Sequence, residues 1–284
     1  MTRRAERGIA LVMVLWGVTL LALLAAGLAG TSGLAVRRMG HAIEAAEAHA
    51  ALEQAAAAAE LALADGDPSK AWRPDGSRHH LTLDFGEAEI AASSEAGKID
   101  LNHASPELLR GLFDQAALSA DQADRLASSF SARAMPALGG RAVLAVSELA
   151  SLPGVDTPVY RRLKKASTVH NESGRLDWRL ANADTLSAIP GLTSQVRAGL
   201  LAAQKRKDYT PDPATAQAFA AAGVVDRGLS PDPDTPLFVT LEIAVHLPSR
   251  ATASAEALIR LAPREHRPVA ILEWQEPQWQ EDDQ

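Results

Sequence analysis

The sequence predicts an α+β protein: a long N-terminal helix, then an antiparallel sheet interrupted by a large all-α insertion. Three observations carry this. Gly8 to Val36 holds no charge, and helix-forming residues continue without a proline to about Ala64. Alternating β-type segments lie near His80–Ala91 and return after Leu237. Between them, from about Ser105 to Ala222, the periodicity is helical and punctuated by Pro and Gly.

Composition narrows the function classes. A chain of 284 residues can bury a sizeable core in one large domain or two modest ones. The formal net charge is -7, and the first eight residues carry three Arg against one Glu, so the remainder is more acidic still. That balance disfavours a general polyanion binder, which needs a clustered basic surface. With no cysteine there is no disulfide framework and no thiolate nucleophile or ligand. Aromatic residues make up only 4% while alanine is abundant, which suits long helices.

The N-terminal junction is unusual. The leader MTRRAERG stops at one glycine and runs straight into IALVMVLW. A bilayer core about 30 Å thick needs roughly 20 apolar residues in a helix, whereas a secretory signal's apolar region is roughly 7–15 residues long. Length therefore favours an anchor over a cleaved secretory signal, although the small residues of LLAAGLAG resemble a cleavage site. Arg3, Arg4 and Arg7 precede the span and Arg37 and Arg38 follow it, so the positive-inside rule favours a cytoplasmic amino terminus only slightly.

The helix continues through RRMGHAIEAAEAHAALEQAAAAAELALA. Ile43, Ala46, Ala50, Leu52 and Leu61 form its expected apolar stripe, with Glu44, Glu47, Glu53 and Glu60 on the wetter side. A single helix from Ile9 to Ala64 would be roughly 84 Å long at about 1.5 Å per residue. DGDPSK ends it, and a hairpin follows around Gly86. LFVTLEIAVHL, ALIRLAP and PVAILEW read as later strands, with SPDPDTP as the connector before them. Three late strands make only a marginal sheet alone, so the economical reading is one sheet begun before the helical block and finished after it. EPQWQEDDQ reads as a frayed acidic tail.

Inside the helical block, LASLPGVDTPVYRRLKK and LSAIPGLTSQVRAGLLAA share a Pro-Gly turn followed by a helix. Each follows a related segment, KIDLNHASPELLRGLF or RLDWRLANADTLSAIPG. The pattern resembles a helix-hairpin-helix, whose turn N–H groups can hold a phosphate at a helix start. Arg161 to Lys165 and Lys205-Arg206-Lys207 supply nearby cations. Against this, Asp156 and Thr193 stand where DNA-binding hairpins need a second glycine, and Asp156 would repel phosphate. The turns therefore read as structural packing units.

The eight histidines show no metal-ligand spacing, and His41, His49, His79 and His80 read as solvated. No G-x-S-x-G elbow or phosphate loop is present, so no catalytic residue is assigned and a non-enzyme is expected. Asp226, Asp232 and Asp234 could surround a hard cation, but a polar surface loop with Asp as turn former is the preferred reading.

RGIALVMVLWGVTLLALLAA, GKIDLNHASPELLRGLF, SELASLPGV and the closing strands ending AILEWQE together resemble the protein K family of minor pseudopilins in the general (type II) secretion pathway. The resemblance spans almost the whole chain. It implies a pilin-like antiparallel sheet with an inserted helix-hairpin-helix or SAM-like all-α domain. The corresponding divisions are a prepilin leader (1–8), a transmembrane and periplasmic stem helix (9–64), a first part of the pseudopilin domain (65–102), the inserted helical domain (103–225), the remaining strands (226–276) and the acidic tail (277–284). It implies cleavage by a prepilin peptidase between Gly8 and Ile9, with N-methylation of Ile9. The family's main subunits carry Glu five residues into the mature chain, where this sequence has Met13. An ionisable group in hydrocarbon is costly unless paired, so the apolar Met13 fits a subunit at the filament tip.

By the same resemblance the partners are other minor pseudopilins, the prepilin peptidase and the inner-membrane secretion platform. The location is the inner membrane, single-pass, with a cytoplasmic amino terminus and a periplasmic bulk. Gly17, Gly27, Gly30 and Gly33 would let neighbouring helices approach closely. No cofactor is expected. Family members can bind calcium, and no ligand is matched here. The competing reading is a membrane-anchored helix-hairpin-helix DNA-binding protein of an uptake apparatus, which its acidic surroundings disfavour.

Overall fold

The computed structural model describes residues 3–67, 69–133, 141–171, 173–206, 212–222, 224–225, 236–262 and 269–280. Helix α1 (Arg3–Leu63) is one continuous element, not an anchor followed by a separate surface helix. It begins inside the segment read as a leader and runs through Gly8 and Ile9 without a break. It stops where Asp67 takes over the local hydrogen bonding: its carboxylate accepts from the Ser69 amide (3.0 Å) and hydroxyl (2.7 Å). Those bonds hold the Asp67 carboxyl below the usual carboxylate range.

The sheet then begins with β1 (Asp75–Leu83) and β2 (Gly86–Ser94), an antiparallel hairpin. It resumes with β7 (Leu237–His246), β8 (Thr252–Leu261) and β9 (Val269–Gln280). The strand order is β1-β2-β7-β8-β9, all antiparallel, so the helical block is inserted between two strands that lie side by side. β9 enters the stretch read as a frayed tail from residue 277: Gln280 pairs with Thr252 and Trp279 with Ala253. A long β8 gives those residues a ladder partner, which offsets their polar composition. Gly86, at φ +141°, turns the hairpin with no room for a side chain, because a Cβ would collide with the His246 carbonyl.

One apolar cluster joins α1 to the sheet. Ala48, Ala51, Leu52, Ala55, Ala56 and Ala59 pack on Ile90, Val239, Leu241, Ile243, Val245 and Ile259. This corrects the expected stripe on α1, of which only Leu52 is buried. Alanines let the helix approach the sheet closely, whereas Ile43 and Leu61 would hold it away.

A separate cluster forms the helical block. Its elements are β3 (Ile99–Asp100), α2 (Pro106–Gln115), α3 (Ala120–Arg133), a 3-10 turn at Val146–Ser151, α4 (Thr157–Ala166), β4 (Ser167–Thr168), β5 (Leu176–Asp177), α5 (Ala183–Ser187), α6 (Ser194–Arg206), α7 (Pro213–Ala222) and β6 (Val224–Val225). The related segments seen in the sequence are structurally equivalent. β3 pairs with β4 and β5 with β6, both in parallel. Ser105 caps α2 by accepting from the Leu108 amide (3.2 Å), as Asn182 caps α5 by accepting from Thr185 (2.8 Å). Asp100 accepts from the Asn102 amide (2.8 Å), as Asp177 does from Arg179 (3.0 Å).

The two halves also interlock reciprocally. A Cβ on Gly97 would strike the Leu180 carbonyl, and one on Gly174 would lie 2.5 Å from the carbonyl oxygen of His103. Gly97 and Gly174, and likewise His103 and Leu180, occupy matching positions in the two related segments. Trp178, fully buried, packs on Phe219 (ring centroids 5.7 Å apart), and Gln204 Nε2 donates to the Trp178 carbonyl at 2.6 Å.

Candidate functional site

The first candidate surface is α1 itself. Every described side chain from 13 to 23 is exposed, including Met13 (71%), Val14, Leu15, Trp16, Leu20, Leu21 and Leu23. A helix that is apolar all round requires lipid or protein around it. This described stretch is shorter than a bilayer needs, and among the described residues no helix is long and apolar enough to cross a membrane. The side chains of Gly8, Ile9, Gly27, Gly30 and Gly33 lie outside the described residues, whereas a Cβ on Gly17 would meet nothing within 4 Å.

Lower on α1 the residues form two opposed faces. At about 100° per residue, the buried Ala48, Leu52, Ala55 and Ala59 lie on one side. Met39 (67% exposed), Ile43 (53%), Ala46, Ala57 and Leu61 (76%) lie on the opposite side, uncovered. The members of the expected core stripe are thus largely an outward apolar stripe. His41 and His49 are also exposed, beside Glu44 and Glu53. His79, expected in solvent, instead stacks on Trp72 with ring centroids 3.9 Å apart.

The two Pro-Gly turns have matching geometry, with Gly154 at φ +83° and Gly191 at φ +80°. Neither presents a vacant anion cradle. Asp156 caps α4 by accepting from the Val159 amide at 2.9 Å, which puts a carboxylate where a phosphate would sit. At the second turn Thr193 Oγ1 accepts from the Val196 amide (3.3 Å), and Arg197 donates to the Leu192 carbonyl (2.8 Å). Two of the RRLKK cations serve the fold: Arg162 donates to the Ala116 carbonyl (2.8 Å) and Lys164 pairs with Glu256 (2.7 Å). The side chains of Lys205, Arg206 and Lys207 lie outside the described residues. Nothing in this geometry supports the nucleic-acid alternative.

Among the described residues no group of three or more His, Asp or Glu side chains could hold a metal ion. Asp226, Asp232 and Asp234 lie outside the described residues. Asp177 is buried beside Trp178, and desolvation pushes its carboxyl above the usual range despite the Arg179 amide and guanidinium.

The remaining candidate is a cleft of about 660 Å³ between α4 and the outer face of the sheet. Thr157, Tyr160, Arg161 and Lys164 line one wall at helical spacing. Glu89, Glu242 and Glu256, from β2, β7 and β8, line the other. Sequence reading missed this cleft, because its acids are scattered over three strands that only the sheet register brings together.

No family model matches the chain. No curated protein matches it. Among solved structures, it is similar to a chain of the crystal structure of the GspK-GspI-GspJ complex from the type 2 secretion system of enterotoxigenic Escherichia coli. The identity is 14%, with 84% of this chain and 98% of that chain covered, at a TM-score of 0.50. At that identity the likeness is one of fold: this mixed helical and antiparallel architecture is shared with a component of a type 2 secretion complex.

Proposed function

We propose that the chain is a non-enzymatic minor pseudopilin of type II protein secretion, which caps or initiates the periplasmic pseudopilus. The observation that carries this reading is the outward apolar stripe of Met39, Ile43, Ala57 and Leu61, on the face of α1 opposite the sheet. A stem with one face on its own sheet and the other uncovered is suited to parallel packing against neighbouring stems. The shared fold with a component of the GspK-GspI-GspJ complex supports other minor pseudopilins as those neighbours. The apolar stretch above the stem anchors the chain in the inner membrane, with a cytoplasmic amino terminus and a periplasmic bulk. Prepilin peptidase cuts between Gly8 and Ile9, Ile9 is then N-methylated, and the chain engages the inner-membrane platform. Met13, in place of a glutamate, removes the need for a neighbour's terminal amine, which fits a subunit at the tip. The inserted helical block is bulky on the sheet's flank and hinders stacking beneath another subunit.

Co-expression with the other minor pseudopilins of the same system tests this. The full chain should co-purify with them from membranes. Ile43→Glu with Leu61→Glu should abolish the association while leaving the thermal midpoint unchanged, since both side chains are outside the core. Undiminished association of that variant would overturn the reading.

A further inference from the structure

The cleft between α4 and the sheet has oppositely charged walls that are only partly joined. Lys164 Nζ reaches Glu256 at 2.7 Å and Gln275 at 3.5 Å, and Arg78 pairs with Glu89 across the hairpin. Two charges are left over: Arg161 on the helical wall and Glu242 on the sheet wall line the same cleft, and neither makes an ion pair among the described residues. Glu242 also faces Glu256 directly in the β7–β8 register. Like charges directly opposite on adjacent strands are destabilising unless a cation lies between them. Lys164 answers one of the two acids, and Glu242 has no such partner among the described residues.

The seam around the cleft is mostly polar, with the buried Leu258 lining it together with Val146 and Val169. The sheet and the helical block have separate apolar clusters. They meet through Lys98, Glu95 and Thr240, through His170 and Glu273 at 3.9 Å, and through the His170 and Phe238 rings at 5.7 Å. A seam of this kind does not join the two apolar clusters into one core, and relative motion is the default where packing between two parts is not extensively apolar.

The geometry points to an electrostatic closing device: the helical block swings on this seam and shuts the cleft by pairing Arg161 with Glu242, using Lys164–Glu256 as the pivot. Closure places two cations between the two facing glutamates and hides the outer face of β7 and β8. The helical block thus has an open and a closed orientation, selected by whatever competes for those charges.

The chain has no cysteine, so two introduced ones can be spin-labelled cleanly. Ser151→Cys on the block and Glu87→Cys on β2 are both exposed positions, and the distance between them is read by double electron–electron resonance in detergent micelles. Screening acts over about 10 Å at 0.1 M salt and about 3 Å at 1 M. Lowering NaCl from 1 M to 10 mM should move the distance distribution to shorter values. Arg161→Glu should cancel that shift, and Arg161→Glu with Glu242→Arg should restore it. A distribution indifferent to salt and to Arg161→Glu overturns the device.

Discussion

Gly97 and Gly174 provide a demanding test of the reciprocal interlock within the helical block. Replacing Gly97 with Ala puts a methyl group against the Leu180 carbonyl and 2.9 Å from the Ala181 amide nitrogen. Both are backbone atoms held by hydrogen bonds from Leu180 to Asp177 and from Ala181 to Trp178. They cannot rotate away as a side chain could, so the overpacking cost is expected at about 1–3 kcal/mol. Gly174→Ala meets the His103 carbonyl and also forces Ala into φ +63°. A left-handed conformation adds roughly 1–2 kcal/mol for a residue with a Cβ. Gly174→Ala should therefore be the worse of the two. Gly199 is the control: it sits exposed in α6 with nothing within 4 Å of an added Cβ. Removing a mid-helix glycine there should stabilise by roughly 0.5–1 kcal/mol. Urea unfolding followed by far-UV circular dichroism and tryptophan fluorescence measures all three. If Gly97→Ala falls within about 0.5 kcal/mol of the parent, or Gly174→Ala behaves like Gly199→Ala, the interlock argument fails.

Three further outcomes follow from the same packing. Truncating Trp178, which is fully buried, to Ala should cost about 3–5 kcal/mol by urea unfolding. Asp156→Ala removes the cap on α4 and should cost about 0.5–2 kcal/mol, with no gain in duplex DNA binding by filter retention at low salt. Because burial raises the Asp177 carboxyl, the folded chain holds its proton at pH values where the unfolded chain has released it. Stability from this group is therefore lost as pH rises from the ordinary carboxylate value through the raised one. Asp177→Asn should be free of that loss, so its stability relative to the parent should climb across that interval and then level off. A relative stability that climbs as pH falls would contradict the assignment.

The strands were legible because β7 alternates cleanly: Val239, Leu241, Ile243 and Val245 point to α1, while Glu242 and His246 point away. The helical block was legible through its Pro and Gly punctuation and its two related segments. Two-residue strands such as β4 and β6 carry no periodicity, so only the parallel pairing reveals them. α1 was misread for a physical reason. Its two faces are both apolar, and bulk marks Ile43 and Leu61 as core, yet the sheet selects the alanine face because small side chains permit the closer approach. The end of β9 was missed because Gln278 and Gln280 resemble tail residues until β8 supplies their partners. The charged cleft depends on strand register and on the position of α4, neither of which is local in sequence.

If the chain is processed and assembled as a pseudopilin, as proposed, the mass of its amino terminus will record it. The protein should be extracted from membranes of its native host and its N-terminal peptide measured by mass spectrometry. The mature chain should begin at Ile9 and carry one added methyl group on its terminal amine. An intact Met1 terminus, or a cut near Gly30, would contradict it.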